Sequence, residues 1–187
     1  MKYFKKLIGE KIYLSPINIE DVEKYTYWFS DFKTTDGMGN SSRVDSIETT
    51  KEWFEKNTKN HNYVFSIVKL DTDELLGYCK FFDINNINRT CVIGILIGEE
   101  KDRNKGYGKE TIGLMLDYAF NYLNINNVML QVKSFNERAI SCYKNIGFKE
   151  IGRRRKSYFL NGKYYDEIYM DILAEEFNKE YIKNKNI

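Results

Sequence analysis

Cysteine is scarce and shows no paired pattern. Cys79, Cys91 and Cys142 are three in number, and no two stand in a Cys-x-x-Cys spacing. That argues against a disulfide framework and a thiolate zinc site, and it points to a reducing compartment. Histidine is scarcer. His61 is the only one, and it stands in a polar Lys59-Asn60-His61-Asn62-Tyr63 turn with nothing to mark it as a partner for a nucleophilic Cys142. A small buried thiol is the better reading of that cysteine. An excess of one charge is also lacking. The 29 basic and 27 acidic residues leave a net charge of +2, so there is no broad electrostatic reason to expect nucleic acid. No apolar run reaches the ~20 residues that cross a bilayer, and the opening MKYFKKLIGEK lacks a long apolar segment. The expectation is a cytoplasmic protein without a secretory signal or a membrane partner.

What is present suits a packed globule. A chain of 187 residues, 42% hydrophobic and 16% aromatic, has enough apolar material for one domain with a sizeable core. No repeat, linker or second domain interrupts residues 1–187. The core is expected over about 11–172, and the charged tail from Glu175 is expected to fray. Lys11 to Leu14 reads as a strand closed by Pro16, and Asn18 reads as the cap of a helix from Ile19 to Phe29. Asp31 to Asp45 reads as a polar loop, followed by a helix capped by Asp45 or Ser46 and running to about Thr58. Tyr63 to Leu70 and Leu75 to Phe82 form a hairpin, Cys91 to Gly98 a central strand and Val128 to Lys133 the next. Asn136 and Gly147 bracket a helix. A last hairpin turns at Asn161-Gly162.

The informative stretch is Ile95 to Tyr118, an apolar strand that breaks into Arg103-Asn104-Lys105-Gly106-Tyr107-Gly108 and resumes as a helix from Lys109. Glycine allows a sharp turn and close backbone approach. The first helical amides lack intrahelical partners and sit at the positive end of the dipole. Strand, glycine turn and helix start together make an anion site. Glu110 follows Gly108-Lys109, so the magnesium-binding hydroxyl of a P-loop is missing. Thr111 replaces the third glycine of a dinucleotide fingerprint, and the next strand ends without a carboxylate. What remains is Arg-x-x-Gly-x-Gly, at Arg103, Gly106 and Gly108.

Past the next strand stands Asn136-Glu137-Arg138-Ala139-Ile140-Ser141-Cys142-Tyr143-Lys144-Asn145-Ile146-Gly147-Phe148. The two runs, in this order and at this spacing, resemble the pyrophosphate loop and the second cofactor segment of the GNAT superfamily of acyl-CoA N-acetyltransferases. The opening Lys11 to Pro16 with Ile19 to Val22 is similar to the RimJ/RimL-like branch, which includes polyamine acetyltransferases. The resemblance covers about 11–172. It implies a single α/β GNAT-like domain, with a mixed, mostly antiparallel sheet flanked by helices and splayed at the cofactor strand.

It also implies acetyl-CoA as cofactor and an amine as acceptor, with no metal. The amides of Asn104, Lys105, Gly106, Tyr107, Gly108 and Lys109 would surround the pyrophosphate beside Arg103. Leu96, Ile97 and Gly98 would pair with the pantetheine arm and free an amide for the thioester oxygen, a donor typically worth ~3 kcal/mol in the barrier. Asn136 would cap its helix and also bond the arm. Tyr143, seven residues on and so on the same helical face, would be the general acid. A free Tyr at ~10 donating to a thiolate at ~8.5 is uphill by about 1.5 pKa units, or ~2 kcal/mol. Relatives often carry a Glu early in the central strand, where this chain has Cys91-Val92-Ile93, so Glu99 or Glu100 at the strand's end is the base candidate.

The acceptor stays open between a peptide N-terminus or small-molecule amine and a polyamine. Asp31, Asp36, Asp45 and Glu48, with Glu20, Asp21 and Glu23 nearby, offer acids that can draw a polycation, or serve as ordinary caps. A CoA-binding sensor without catalysis is the rival from another class. Arg153 to Lys156 reads as a solvated strand face. Dimerisation is an expectation by analogy with relatives.

Overall fold

From residue 64 to residue 97 three runs rich in β-branched and aromatic residues fold back on one another, giving three neighbouring antiparallel strands, β3 (Val64–Lys69), β4 (Leu75–Asn85) and β5 (Thr90–Ile97). The structure is a computed structural model, and it describes residues 2–59 and 63–185. The other strands are β1 (Leu7–Ile8), β2 (Ile12–Pro16), β6 (Asn127–Lys133), β7 (Lys149–Leu160) and β8 (Lys163–Leu173). All eight join one mixed sheet in the order β1-β2-β3-β4-β5-β6-β8-β7. Only β5 and β6 are parallel neighbours; the other pairs are antiparallel.

Helices cover both faces, so each face has its own apolar cluster. On one side α4 (Tyr107–Asn121) and α5 (Glu137–Ile146) pack over Cys91, Ile93, Val128 and Leu130. Ile112, Leu116 and Ala119 of α4 are buried there, as their helical spacing predicts. On the other side α1 (Val22–Ser30) and α3 (Ile47–Thr58) bring Tyr25, Trp28 and Phe54 onto Tyr13, Tyr78 and Leu96. Ser46 caps α3 in a reciprocal arrangement with Thr49, and Asn18 accepts from the Glu20 amide before α1.

Three expectations change. Residues 31–45 are not all loop, because Asp31 caps a short helix, α2 (Phe32–Thr35), which runs into a 3-10 turn at Asp36–Met38. α4 starts two residues before Lys109, since Gly106 at φ 89° takes the cap position. The tail does not fray over its described length. The Asp117 carboxylate accepts the amides of Tyr181 at 2.7 Å and Ile182 at 2.9 Å and pairs with Lys185 at 2.9 Å. Lys183 then donates to the Ile8 carbonyl at 2.8 Å, so the tail runs beside β1. Gly113 permits this docking, because a Cβ there would lie 2.2 Å from the Tyr181 ring.

Candidate active site

The parallel pairing of β5 with β6 lasts for three residue pairs, Thr90 with Asn127, Cys91 with Val128 and Val92 with Met129. Beyond Val92 the strands part. Into the opening runs a cleft of about 1160 Å³, walled by residues 92–97 of β5 and residues 131–133 of β6. The phase of β5 follows from one bond: the Gly98 amide donates to the Leu76 carbonyl at 2.9 Å. Antiparallel strands alternate their bonding direction. Leu96 and Gly94 therefore turn their amides to β4, and Ile93, Ile95 and Ile97 turn theirs toward β6 and the cleft. Gly98, expected to help line this edge, has its amide engaged by Leu76 and does not line the cleft.

The glycine turn closes one end. Asn104 at φ 62° and Gly106 at φ 89° both take left-handed backbone, which curls the chain before α4. Glu110 is the first residue of this helix to bond back, to the Gly106 carbonyl at 3.0 Å, so the amides of Tyr107, Gly108 and Lys109 lack helical partners. A Cβ on Gly108 would meet nothing within 4 Å, so neither folding nor packing demands glycine there. An open glycine beside free amides fits an approaching phosphate oxygen.

The charged members of the turn divide. Arg103, Asn104, Gly106, Gly108 and Lys109 line the cleft, and Lys105 and Tyr107 do not. The Arg103 guanidinium folds inward and donates to the carbonyls of Ile97 at 3.4 Å, Gly98 at 3.3 Å and Lys33 at 3.4 Å. Burial, followed by nearby Arg138, holds its pKa below the ordinary arginine value. Arg103 thus clamps the turn to the end of β5. Lys105 turns to buried Asp102 at 3.6 Å, which Lys69 also approaches at 3.5 Å.

α5 supplies the opposite wall with Asn136, Arg138, Cys142 and Tyr143. The Asn136 Oδ1 accepts from the Ala139 amide at 3.2 Å, the expected cap. Its Nδ2 faces Gly37, where a Cβ would stand 3.2 Å away. The cap therefore leaves the amide donor available. The Tyr143 ring packs against Phe148 at 6.0 Å, and its pKa is pushed up to about 12, chiefly by burial and then by the Cys142 thiol, against a lowering by Arg138. The Cys142 thiol is itself raised by burial, only partly offset by Lys109 and Arg138, which suits an unreactive thiol. His61 lies outside the described residues.

The half of the cleft away from the glycine turn, the side expected for an acceptor, lies on the α1 and α3 face. Asp36, Met38, Asn40, Arg43, Trp53, Tyr78, Lys80 and Phe82 line it, with Lys133 of β6. Of the seven acids considered for a polycation, three are held in caps or ion pairs. Asp31 accepts from the Lys33 amide and the Thr34 hydroxyl, Asp45 pairs with Arg43 at 2.8 Å, and Asp21 is buried on Tyr3 and Lys2. Glu99, the base candidate, accepts from the Trp28 indole at 2.9 Å and is not brought to the cleft wall. The early strand positions that do line the cleft are Val92 and Ile93, neither of them acidic.

Residues 14–169 match the model of the Acetyltransferase (GNAT) domain. The chain belongs to the GNAT acetyltransferase family. It is 28% identical over 152 residues to a spermidine N(1)-acetyltransferase of Vibrio cholerae, covering 81% of each chain. It is 30% identical over 169 residues to YokL, an uncharacterized SPbeta prophage-derived N-acetyltransferase of Bacillus subtilis, covering 90% of this chain and 93% of the other. Among solved structures, the Vibrio cholerae spermidine N-acetyltransferase in complex with CoA and spermine superposes with a TM-score of 0.81 at 24% identity, over 89% of this chain and 97% of that one.

Within this GNAT fold the structure adds residues that sequence reasoning did not single out. Arg138 stands one turn before Tyr143 and acts on both Tyr143 and Arg103. Its signal was its place in the first turn of α5, on a helix already read as lining the cofactor. Lys80 and Phe82 alternate with buried Cys79 and Phe81 along β4, and that period of two is the only trace they leave in the sequence.

Proposed function

We propose that the protein moves an acetyl group from acetyl-CoA directly to a primary amine, on a peptide N-terminus or a small molecule, in the manner of the RimJ/RimL-like branch. The observation that carries this reading is the early parting of β5 from β6. It exposes a row of strand amides in one cleft with the glycine turn and Tyr143.

Acetyl-CoA, when bound, supplies an activated carbonyl and a thiolate leaving group. The chain's part is to hold, polarise and protonate. The amides of Tyr107, Gly108 and Lys109 hold the pyrophosphate, and the Asn136 Nδ2 donates to the arm. The amide of Ile95 or Ile97 faces the carbonyl oxygen and stabilises the charge that grows there. As the amine nitrogen bonds the carbonyl carbon and the C–S bond breaks, the Tyr143 hydroxyl would donate its proton to the departing sulfur, and the proton lost by the acylated nitrogen would return to the tyrosinate through solvent. With burial holding its pKa at about 12, the transfer to sulfur is steeper than for a free tyrosine. The donor amides, by stabilising the charge on the carbonyl oxygen, act against that slope. The hydroxyl makes no hydrogen bond to another described residue, so it is available.

A polyamine acceptor is the second reading, supported by the likeness to the Vibrio cholerae spermidine enzyme. Charge in the acceptor half weighs against it. Lys80 lines the cleft there without an ion pair among the described residues, Lys33, Arg43 and Lys133 line it paired with Glu100, Asp45 and Glu167, and the lining offers a polycation only Asp36 and Asp83. The test is to incubate the protein with acetyl-CoA and spermidine, N-terminal Ala and Ser peptides, free amino acids and an amino sugar, and to weigh the products. An added acetyl group on one class of amine supports transfer and identifies the acceptor. Unmodified amines throughout, from a protein whose melting temperature acetyl-CoA raises, would favour a sensor instead.

A further inference from the structure

Resting on the transferase reading, we propose that Lys80 forms an anion subsite in the acceptor half, so that the preferred acceptor is an amine carrying a carboxylate a few bonds from its nitrogen, as in an amino acid. Lys80 lies on β4 between Tyr78 and Phe82, and the three side chains share the face toward α3. Its partner across the sheet is Gly94 of β5. A Cβ on Gly94 would lie 2.7 Å from the Phe82 ring, so the missing side chain lets that ring fold over the strand. The Lys80 ammonium stands 4.2 Å from the centroid of the same ring. The result is a half-buried cation on an aromatic platform, one position along β5 from Ile95.

The neighbouring cations have carboxylates. Arg43 pairs with Asp45 at 2.8 Å, Lys133 with Glu167, and Lys33 with Glu100 at 3.5 Å. Among the described residues no carboxylate comes within 4.0 Å of Lys80. Burial lowers its pKa, Lys56 lowers it further, and exposed Asp83 only partly offsets them. A charged lysine in that setting lacks a close counter-ion, and a ligand carboxylate would supply one. Spermidine would add positive charge beside it.

The probes are L-alanine, L-alaninamide and spermidine. Binding to CoA-saturated protein is read by calorimetry, and acetylation by product mass. Wild type should bind alanine at least tenfold more tightly than alaninamide. Lys80→Gln should erase that ratio and Lys80→Arg should restore it. The ratio is taken within each variant, so a change in folded fraction does not enter. Equal binding of acid and amide, no binding of either, or an unchanged ratio in Lys80→Gln overturns the proposal. Binding of the acid through Lys80 without acetyl transfer keeps the subsite and removes the transferase reading. Transfer to alaninamide or spermidine as readily as to alanine does the reverse.

Discussion

The Gly98 amide donates to the Leu76 carbonyl at 2.9 Å, and this bond sets which amides of β5 face the cleft. By alternation those amides belong to Ile93, Ile95 and Ile97. Replacing the N–H of Ile97 or Ile95 by an ester oxygen, through semisynthesis, should lower kcat by about 100-fold in one of the two cases. The same change at Leu96 should lower the melting temperature and act less on kcat. Equal kcat in all three variants would show that no strand amide acts on the carbonyl.

Gly108 separates ligand contact from folding. Nothing lies within 4 Å of its absent Cβ, and it stands in the first turn of α4. Gly108→Ala should leave the melting temperature unchanged or slightly higher, since alanine favours a helix by up to ~1 kcal/mol. The KM for acetyl-CoA should rise about tenfold. An unchanged KM would move the pyrophosphate away from this turn.

Asp31 tests whether the acids near the acceptor side are caps. Its carboxylate accepts from Lys33 and Thr34. Asp31→Ala should cost ~1 kcal/mol of stability, as loss of a helix cap does, with the acceptor KM unchanged. A large rise in acceptor KM at unchanged stability would restore an electrostatic role.

Asp117 ties the tail to the core. Burial alone would raise its pKa, but the amides of Ile182 and Tyr181 and the Lys185 ammonium outweigh it, and the net shift is downward. A depressed folded-state pKa gives stability that is present above the ordinary carboxylate value, near ~4, and is lost as pH falls through the folded-state value. The wild-type melting temperature should therefore fall below about pH 4, and Asp117→Ala should be less stable by ~3 kcal/mol at pH 7 and less acid-sensitive. Identical melting curves from pH 3 to 7 for the two proteins would show that the tail adds nothing.

Much of the fold was legible because its signals are local. Runs of β-branched and aromatic residues, the Asn161-Gly162 turn and the caps at Asn18 and Asn136 each act within a few residues, and the α3 cap, open between Asp45 and Ser46, falls to Ser46. The glycine turn was legible for the same reason. The rest depended on partners distant in sequence. Glu99 looked like a strand-end acid until Trp28 donated to it from 71 positions away. The tail looked solvated because its charge hides Ile182, which is buried, and its anchor Asp117 lies on another helix. The acids near residue 31 read as a draw for a polycation or as ordinary caps, and at Asp31 the bonds from Lys33 and Thr34 are those of a cap.

The most direct test of acetyl transfer in this cleft is free-thiol release from acetyl-CoA by wild type and Tyr143→Phe, with CoA affinity measured on both. The Tyr143 ring packs against Phe148 and keeps that contact in the variant. Turnover should fall at least tenfold with CoA affinity nearly intact. With its pKa at about 12, Tyr143 remains protonated at working pH, so the wild type should show no loss of rate from this group between pH 7 and about 10. Unchanged turnover in Tyr143→Phe would contradict the assignment of the acid, and CoA affinity lost along with turnover would make Tyr143 a binding residue instead.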